Sequence, residues 1–517
     1  MRKLKIIVLL IVVVFLFGCS SDENELNGYL ENAHLQLENL MPKEGGKISI
    51  SVVEFKTLNP LLNKEKSLDY ALKLVYDSLF TLDENYNVVP KLVDSYSFSP
   101  DGTILNINLK KDIIWHDGVK LTSRDVKFTV DLLKSLNQSP YYTLVSNIYS
   151  VEILSDTSFN IVFLKPYSFS LENLLFPILP NHKLNGLGIN DIKLDENNLI
   201  GSGMYKIQKY EKRKYIELVK NENYYDKKPY INEIKMVIVP DKQAQESMLI
   251  SLETDICQID QIISGKFPAK RFDTQKYRGQ NYEFLALNFN NEYIKDLNLR
   301  KALAYVIDRE KILKEVYLKK GEIVEFPLNS NSKYYNKNIK NYSYNLEKAR
   351  EYLNKTQFQD IKFTLIVDQT NFERLKTAYI IKEQLQNLNI KLEVLELSWE
   401  EILNRLSVGD YDMVLLGWKL PVVPDPTFAL YPNNVTNFTN YVDPNMDILV
   451  HKLLNSVKEE DKIKNYYELQ KYVKENLPFI SLLIRDENLV FNNKIKGKLN
   501  SNNFNIYNGI ENIFVKY

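Results

Sequence analysis

Between Lys362 and Gly417 the apolar positions repeat with two different periods, and the switches between them mark out a unit. Lys362–Val367 (KFTLIV) is a short apolar run that predicts a strand. From Phe372 to Leu388, the residues Leu375, Ala378, Ile381, Leu385 and Leu388 recur at helical spacing, and Asn389 follows where such a helix would end. Ile390–Leu397 returns to alternation, with Ile390, Leu392 and Val394 apolar, and reads as a second strand. Ser398-Trp399-Glu400-Glu401 has the form of a capping box that opens a short helix to Gly409. Asp412–Gly417 (DMVLLG) reads as a buried strand. The order β-α-β-α-β implies parallel strands with right-handed crossovers. In such sheets the ligand crevice lies beyond the carboxyl ends of the strands, which puts Asp368, Trp399 and Trp418 at one rim.

A different pattern runs from Ser95 to Leu133. Pro100-Asp101-Gly102 is a turn, because proline presets φ and glycine tolerates φ > 0. After it, Leu105, Ile107 and Leu109 alternate with Asn106, Asn108 and Lys110, the mark of a half-buried hairpin strand. Trp115-His116-Asp117-Gly118 contains a second tight turn. Thr122-Ser123-Arg124-Asp125 reads as a capping box with aspartate in the glutamate place, and Leu121 and Val126 are spaced as a hydrophobic staple. Val126, Val130 and Leu133 continue one helical face. Each residue of this stretch has a structural task, so the His116–Asp117 pair is expected to be architecture. Catalysis would need a nucleophile or metal that nothing nearby suggests.

The third pattern is at the N-terminus. Arg2, Lys3 and Lys5 precede an unbroken apolar run, Ile6–Phe17, too short to span a membrane and suited to a signal peptide. It stops at Leu16-Phe17-Gly18-Cys19, which resembles a bacterial lipobox whose cysteine is lipidated after cleavage. Residues 1–18 are therefore expected to be a lipoprotein signal peptide. Residues 19–44, rich in Asp, Glu and Asn, are expected to be a tether with a short amphipathic helix around Tyr29–Leu40. The chain has two cysteines; with Cys19 acylated, Cys257 has no partner for an intrachain disulfide.

Composition narrows the function. The chain has 517 residues, enough for two or three subdomains, and its apolar content of 44% suits a soluble globular body. Lys+Arg and Asp+Glu both number 66, so no basic excess exists to neutralise a phosphate backbone, which argues against nucleic acid. The four histidines, His34, His116, His182 and His451, lie in unlike contexts. No HExxH, GxSxG, paired CxxC or phosphate loop is present, so no enzyme, cofactor or metal site is expected. The absence of repeats argues against a structural or adhesive lipoprotein. The Lys-, Asn-, Ile- and Tyr-rich usage fits an AT-rich genome, with a Gram-positive source expected.

Several stretches, in fixed order from about residue 45 to the C-terminus, carry a resemblance. They are Leu58-Asn59-Pro60; the segment from Leu74 to Leu133; Gly201-Ser202-Gly203-Met204-Tyr205-Lys206 followed by NENYYDKKPYINEI; LALNFNNEYIKDLNLRKALAYVIDREKI; YNLEKAREYL; and GDYDMVLLGW followed by Asp425-Pro426. Together they resemble the extracellular solute-binding proteins of oligopeptide, dipeptide and nickel ABC transporters (family 5 type). Two departures are Met204, where proline is common, and an altered loop after Trp418.

The resemblance implies an α/β, two-lobed periplasmic-binding-protein-like (Venus flytrap) fold with an extra subdomain in lobe I. Lobe I would comprise 45–278 and 485–517, with 66–200 as the extra subdomain, and lobe II 279–484. The lobes would rotate about crossovers near 276–284 and 481–486. A monomer, anchored to the membrane through its lipid, would capture a peptide and hand it to an ABC permease driven by ATPase subunits. The family places ligand-contacting aromatics at Trp399 and Trp418, with Gly417 alongside, and Lys64–Ser67 matches the first-lobe segment that pairs with peptide main chain. Peptide-binding relatives often hold the α-amino group with an acid three residues after the matching tryptophan; here that place is Pro421, and Asp425 is the candidate substitute. Asp368 stands where dipeptide-binding relatives have arginine, which disfavours strict dipeptide binding. Lys419 is suited to a carboxylate. The alternatives are a dedicated receptor for a signalling peptide or for a non-peptide solute such as a nickel chelate, although no histidine lies in the crevice segments. On this reading Trp418→Ala should weaken binding and leave the stability of the free protein nearly intact.

Overall fold

The structure, a computed structural model, describes residues 41–186, 199–259, 266–432 and 434–516. The apolar leader, the lipidation candidate Cys19 and the helix expected around Tyr29–Leu40 lie outside the described residues. Among the described residues no helix is long and apolar enough to cross a membrane.

In chain order the elements used below are β1 (Lys47–Val53), α1 (Lys66–Leu72), β2 (Val93–Phe98), β3 (Ile104–Leu109), α2 (Ser123–Ser135), β4 (Ile148–Ile153) and β5 (Ser158–Phe163). They continue with β6 (Tyr205–Glu211), β7 (Tyr215–Lys220), β8 (Glu233–Val239), β9 (Ile256–Ile259), β10 (Phe272–Leu287), α3 (Leu297–Val306) and β11 (Gly321–Ile323). The remainder are β12 (Lys362–Asp368), α4 (Phe372–Gln386), β13 (Lys391–Leu397), α5 (Trp399–Val408), β14 (Met413–Lys419), α6 (Pro444–Leu454), α7 (Glu459–Asn476) and β15 (Phe479–Asn492).

One large sheet runs in the order β13-β12-β14-β10-β15-β9-β1-β8-β7-β6, with β11 also paired to β15. The two long strands at its centre divide it into halves. Phe272–Arg278 of β10 pairs with Asp486–Asn492 of β15, whose other edge there meets β9. Tyr282–Ala286 pairs with Phe479–Ile484, and the other edge of β10 there meets β14. The register breaks between Arg278 and Tyr282. Gly279 lies in this break, and a Cβ there would sit 2.5 Å from the Arg485 carbonyl oxygen.

The unit predicted from periodicity between 362 and 417 is present. β12 is parallel to both β13 and β14. Asn389 takes a left-handed φ of 57°, and Gly409, at 72°, closes α5. β14 runs two residues past Gly417, because it pairs with β10 through Tyr282↔Trp418 and Asn281↔Lys419. Alternation along β14 feeds two cores. Met413 and Leu415 join Leu285 and Leu365 under α3 and α4, whereas Val414, Leu416 and Trp418 join Phe284 and Ile366 under α6 and α7.

The other half also follows its sequence signals. β2, β3, β5 and β4 form a four-stranded antiparallel sheet in that order, and Gly102 turns β2 into β3 at φ 74°. The capping box is closed: Arg124 N–H donates to Thr122 Oγ1 (3.3 Å) and Thr122 N–H donates to Asp125 Oδ2 (2.7 Å). At Gly201 a Cβ would lie 1.8 Å from the Val75 carbonyl oxygen, so the Gly201–Gly203 segment is glycine-rich because the backbone after α1 presses on it. A loop after β5 crosses to the opposite half. Phe169 is fully buried there, edge-on to Tyr334 (5.9 Å) and Tyr466 (6.3 Å), and Ser168 N–H donates to the Leu454 carbonyl (2.8 Å).

Candidate functional site

β13, β12 and β14 are neighbouring parallel strands of one sheet, and in sheets of this kind the crevice lies beyond the carboxyl ends of the strands. Successive side chains on β14 point to opposite faces, so Gly417 and Trp418 cannot present side chains to one ligand surface. The indole of Trp418 is only 5% exposed. It stacks on Phe284 (3.8 Å) and meets Phe428 and Phe479 edge-on, and its N–H donates to the Thr436 carbonyl (3.0 Å). The rim position expected for the Trp418 ring is therefore corrected: in this conformation the ring packs in the core. Gly417 lies beneath the Arg374 guanidinium, where a Cβ would come within 2.2 Å of Nη2; Arg374 in turn donates to the buried Glu283 (2.8 Å).

Other candidates stand at the groove or in its framework. Trp399 opens α5 at the rim with 46% of its surface exposed. Asp368 ends β12, and its Oδ1 accepts from Thr370 N–H (2.9 Å) and the Thr370 hydroxyl (2.8 Å), which fixes the turn into α4. Lys419 ends β14 exposed. Across the groove, exposed Lys64 borders a surface cleft of about 530 Å³ with Glu54, Phe55 and Gln138. The Ser67 hydroxyl accepts from Val53 N–H (2.8 Å) and donates to Glu65 (2.7 Å), so it ties α1 to β1. Asp425 spans the halves: it accepts from the Tyr167 hydroxyl (2.7 Å) and from Thr427 N–H (2.9 Å).

Along most of its length β14 has one strand neighbour, although Leu415, Leu416 and Trp418 are buried and only Lys419 of this stretch is exposed. It pairs with β12 only through Leu365↔Met413 and Ile366↔Val414, while β10 covers its other edge from Met413 to Lys419. Among the described residues no strand pairs with Leu415–Lys419 on the β12 side. Such an edge is a template for an added strand. Behind it, a cavity of about 30 Å³ between Tyr86, Gln280, Asn329, Leu420, Asp425 and Phe428 has room for water but not for a peptide.

A family model for bacterial extracellular solute-binding proteins, family 5, matches residues 87–440. The chain belongs to this family. It is 24% identical to the oligopeptide-binding protein AppA of Bacillus subtilis, over 95% of this chain and 94% of that one. The solved structure of AppA with a nonapeptide superposes with a TM-score of 0.64 at 23% identity, covering 92% of this chain and all of that one. NikZ from Campylobacter jejuni, solved with Ni(L-His), gives 0.66 at 29% identity over 88% and 96% of the two chains. The unliganded open form of the murein tripeptide-binding protein MppA gives 0.79 at 15% identity over 92% and 98%. The fold is thus the two-lobed solute-binding fold, and the two halves of the sheet are its lobes.

In this solute-binding protein the β10/β15 ribbon joins the lobes, and charged groups brace it. Arg278 lies 2.7 Å from both Asp486 and Glu322, and Lys276 lies 2.6 Å from Asp486. Residue-level reading missed Lys66, whose Nζ reaches the Gln280 side chain on the ribbon (3.4 Å) and sits 5.2 Å over the Tyr70 ring. Burial, and then the charge of Lys419, push its ammonium down to about 8, against the pull of Glu487. A signal was available: Lys66 opens α1, where the helix dipole disfavours a cation. Gln280 and Tyr167, brought to the cleft by strand pairing and a distant loop, left no local signal.

The His116–Asp117 pair is not a dyad. Gly201 N–H donates to His116 Nδ1 (3.2 Å), so the ring proton is on Nε2, which donates to the Gly203 carbonyl (3.0 Å). Asp117 turns away to His182 (2.9 Å) and Lys183 (3.5 Å). Burial pushes the His116 imidazole down to about 4, which keeps it neutral at pH 7.

Proposed function

We propose that this protein is the lipid-anchored, monomeric receptor of an ABC importer for oligopeptides, held on the extracellular face of a Gram-positive membrane through Cys19. The observation that carries the reading is the edge of β14 from Leu415 to Lys419, which has no strand partner on the β12 side among the described residues and which ends at the exposed Lys419. A peptide laid along it gains main-chain hydrogen bonds that do not depend on its side chains. The main chain of Gly417 and Trp418 forms one wall, and Lys64–Ser67 on the opposite lobe forms the other. Trp399 offers a ring at the rim, with Asp368 next to it. Asp425 receives the peptide's α-amino group by exchanging its Tyr167 partner, and Lys419 meets a carboxylate.

Lobe I (45–278 and 485–517, with 66–200 as its added subdomain) and lobe II (279–484) close over the ligand by bending the β10/β15 ribbon. A ligand that bridges the lobes binds the closed form better and shifts the population toward it. The loaded receptor docks on the permease, and separate ATPase subunits drive import. Two or more acyl chains on Cys19 give stable anchoring where one would not.

Native mass spectrometry of the chain lacking residues 1–19, purified without denaturant from cells in rich medium, tests the reading. A ladder of bound masses in the short-peptide range is the expected result. A single mass equal to a metal chelate would replace it with the nickel reading, supported by NikZ. A single peptide mass would indicate a dedicated signal receptor.

A further inference from the structure

We propose that Lys66 and Lys419, one from each lobe, form a joint subsite for a carboxylate of the bound peptide. The inference rests on the peptide reading above and names the ligand group that the base of the cleft selects.

The two lysines are tied to neighbouring residues of the ribbon, Lys66 through its ammonium and Lys419 through its main chain. Lys66, on α1 of lobe I, reaches the Gln280 side chain (3.4 Å). Lys419, on β14 of lobe II, pairs in register with Asn281, and the next residue, Leu420, donates its N–H to the Gln280 carbonyl (2.8 Å). The nearby acids are committed elsewhere. Glu487 accepts from the Tyr277 hydroxyl (3.1 Å) and the Gln258 amide. Asp69 is taken by Lys73 (2.5 Å) and Tyr141 (3.0 Å), and Asp425 by Tyr167. Among the described residues neither Lys66 nor Lys419 has a carboxylate within ion-pair distance, and the long contact to Gln280 leaves Lys66 with donors to spare.

The charge pattern is unfavourable in the free protein. A largely buried ammonium beside a second one costs desolvation and like-charge repulsion. Closing the lobes over an empty cleft raises that cost, because the two cations ride on opposite lobes. A carboxylate between them adds an attraction to each cation, and these offset the repulsion and the cost of burial. The pair thus resists empty closure and rewards closure on an acid-bearing ligand. Its source is either the peptide C-terminus or an Asp/Glu side chain.

The test compares three probes on the mature chain by isothermal titration calorimetry: penta-alanine as the free acid, penta-alanine amide, and Ala-Ala-Glu-Ala-Ala amide. The acid should bind at least tenfold more tightly than the penta-alanine amide. In Lys66→Met and Lys419→Met the difference should fall below twofold, and Lys419→Arg should restore it. Recovery of tight binding by the glutamate amide would assign the subsite to a side-chain carboxylate. Equal binding of acid and both amides, or a tenfold difference that survives both lysine variants, would overturn the subsite and leave the peptide reading standing. Failure of all three probes and of random tri- to nonapeptide libraries would remove the peptide reading, and the subsite with it. Lys419 is exposed, so its variants report on binding without a folding defect.

Discussion

At Trp418 the expectation from sequence and the packing of the side chain part company over stability. A strand residue at the end of an apolar run reads equally well as a ligand shelf or as core, and the neighbour that decides lies far away in sequence. Trp418 shares a face with Tyr282, its cross-strand partner, and its indole is closed in by Phe284, Phe428 and Phe479. Trp418→Ala should therefore lower the unfolding free energy of the ligand-free protein by about 3–5 kcal/mol, the usual range for deleting a buried aromatic. Urea denaturation followed by circular dichroism measures this. A variant as stable as the parent would mean that the ring leaves the core in solution. The charged candidates behave differently. Asp368 and Ser67 have partners two residues away in their own turns, which local sequence carries, whereas the Tyr167 partner of Asp425 is 258 positions away and no run of adjacent residues encodes it.

Between elements, His116 is a staple. It fixes the turn after β3 to the Gly201–Gly203 segment before β6, and the bond that Nδ1 accepts from Gly201 N–H requires the neutral ring. Its imidazole is pushed from an ordinary 6.5 down to about 4 by burial. The unfolded chain therefore binds the extra proton first as pH falls. The stability that the neutral ring contributes is complete above 6.5 and is lost as pH drops toward 4. Between pH 7 and pH 5 the parent should lose on the order of 2 kcal/mol more than His116→Gln does. Thermal melts at the two pH values check this, and parallel losses in the two proteins would contradict it. At this scale much was legible. The hairpin at Gly102, the capping box at Thr122 and the β-α-β-α-β run from 362 to 417 are local devices, and local sequence carries them. The extension of β14 to Lys419 was not legible, because its cause is pairing with β10, more than a hundred residues earlier. Lys66 falls in the same class: its partner Gln280 is 214 positions away.

Across the whole molecule the lobes are joined by more than their two long strands. Phe169, on the loop after β5, lies among Tyr334 and Tyr466 in the opposite half, and Ser168 bonds to carbonyls at the end of α6. Phe169→Ala should free this side of the groove. Hydrogen exchange should rise in 166–171 and along α7 near Tyr466, with little change in the β10/β15 ribbon; exchange confined to the substituted loop would show that the anchor carries no load. The ribbon itself has a consequence for biogenesis. β15 lies between β10 and β9, in the middle of the large sheet, yet it is built from residues 479–492, close to the end of the chain. Neither half of the sheet is complete until this segment pairs with β10 and β9. Loop closure over such separations is slow. Completing the sheet is therefore a late step of folding, in which hairpins and helices that form locally wait for two strands far apart in sequence to find each other.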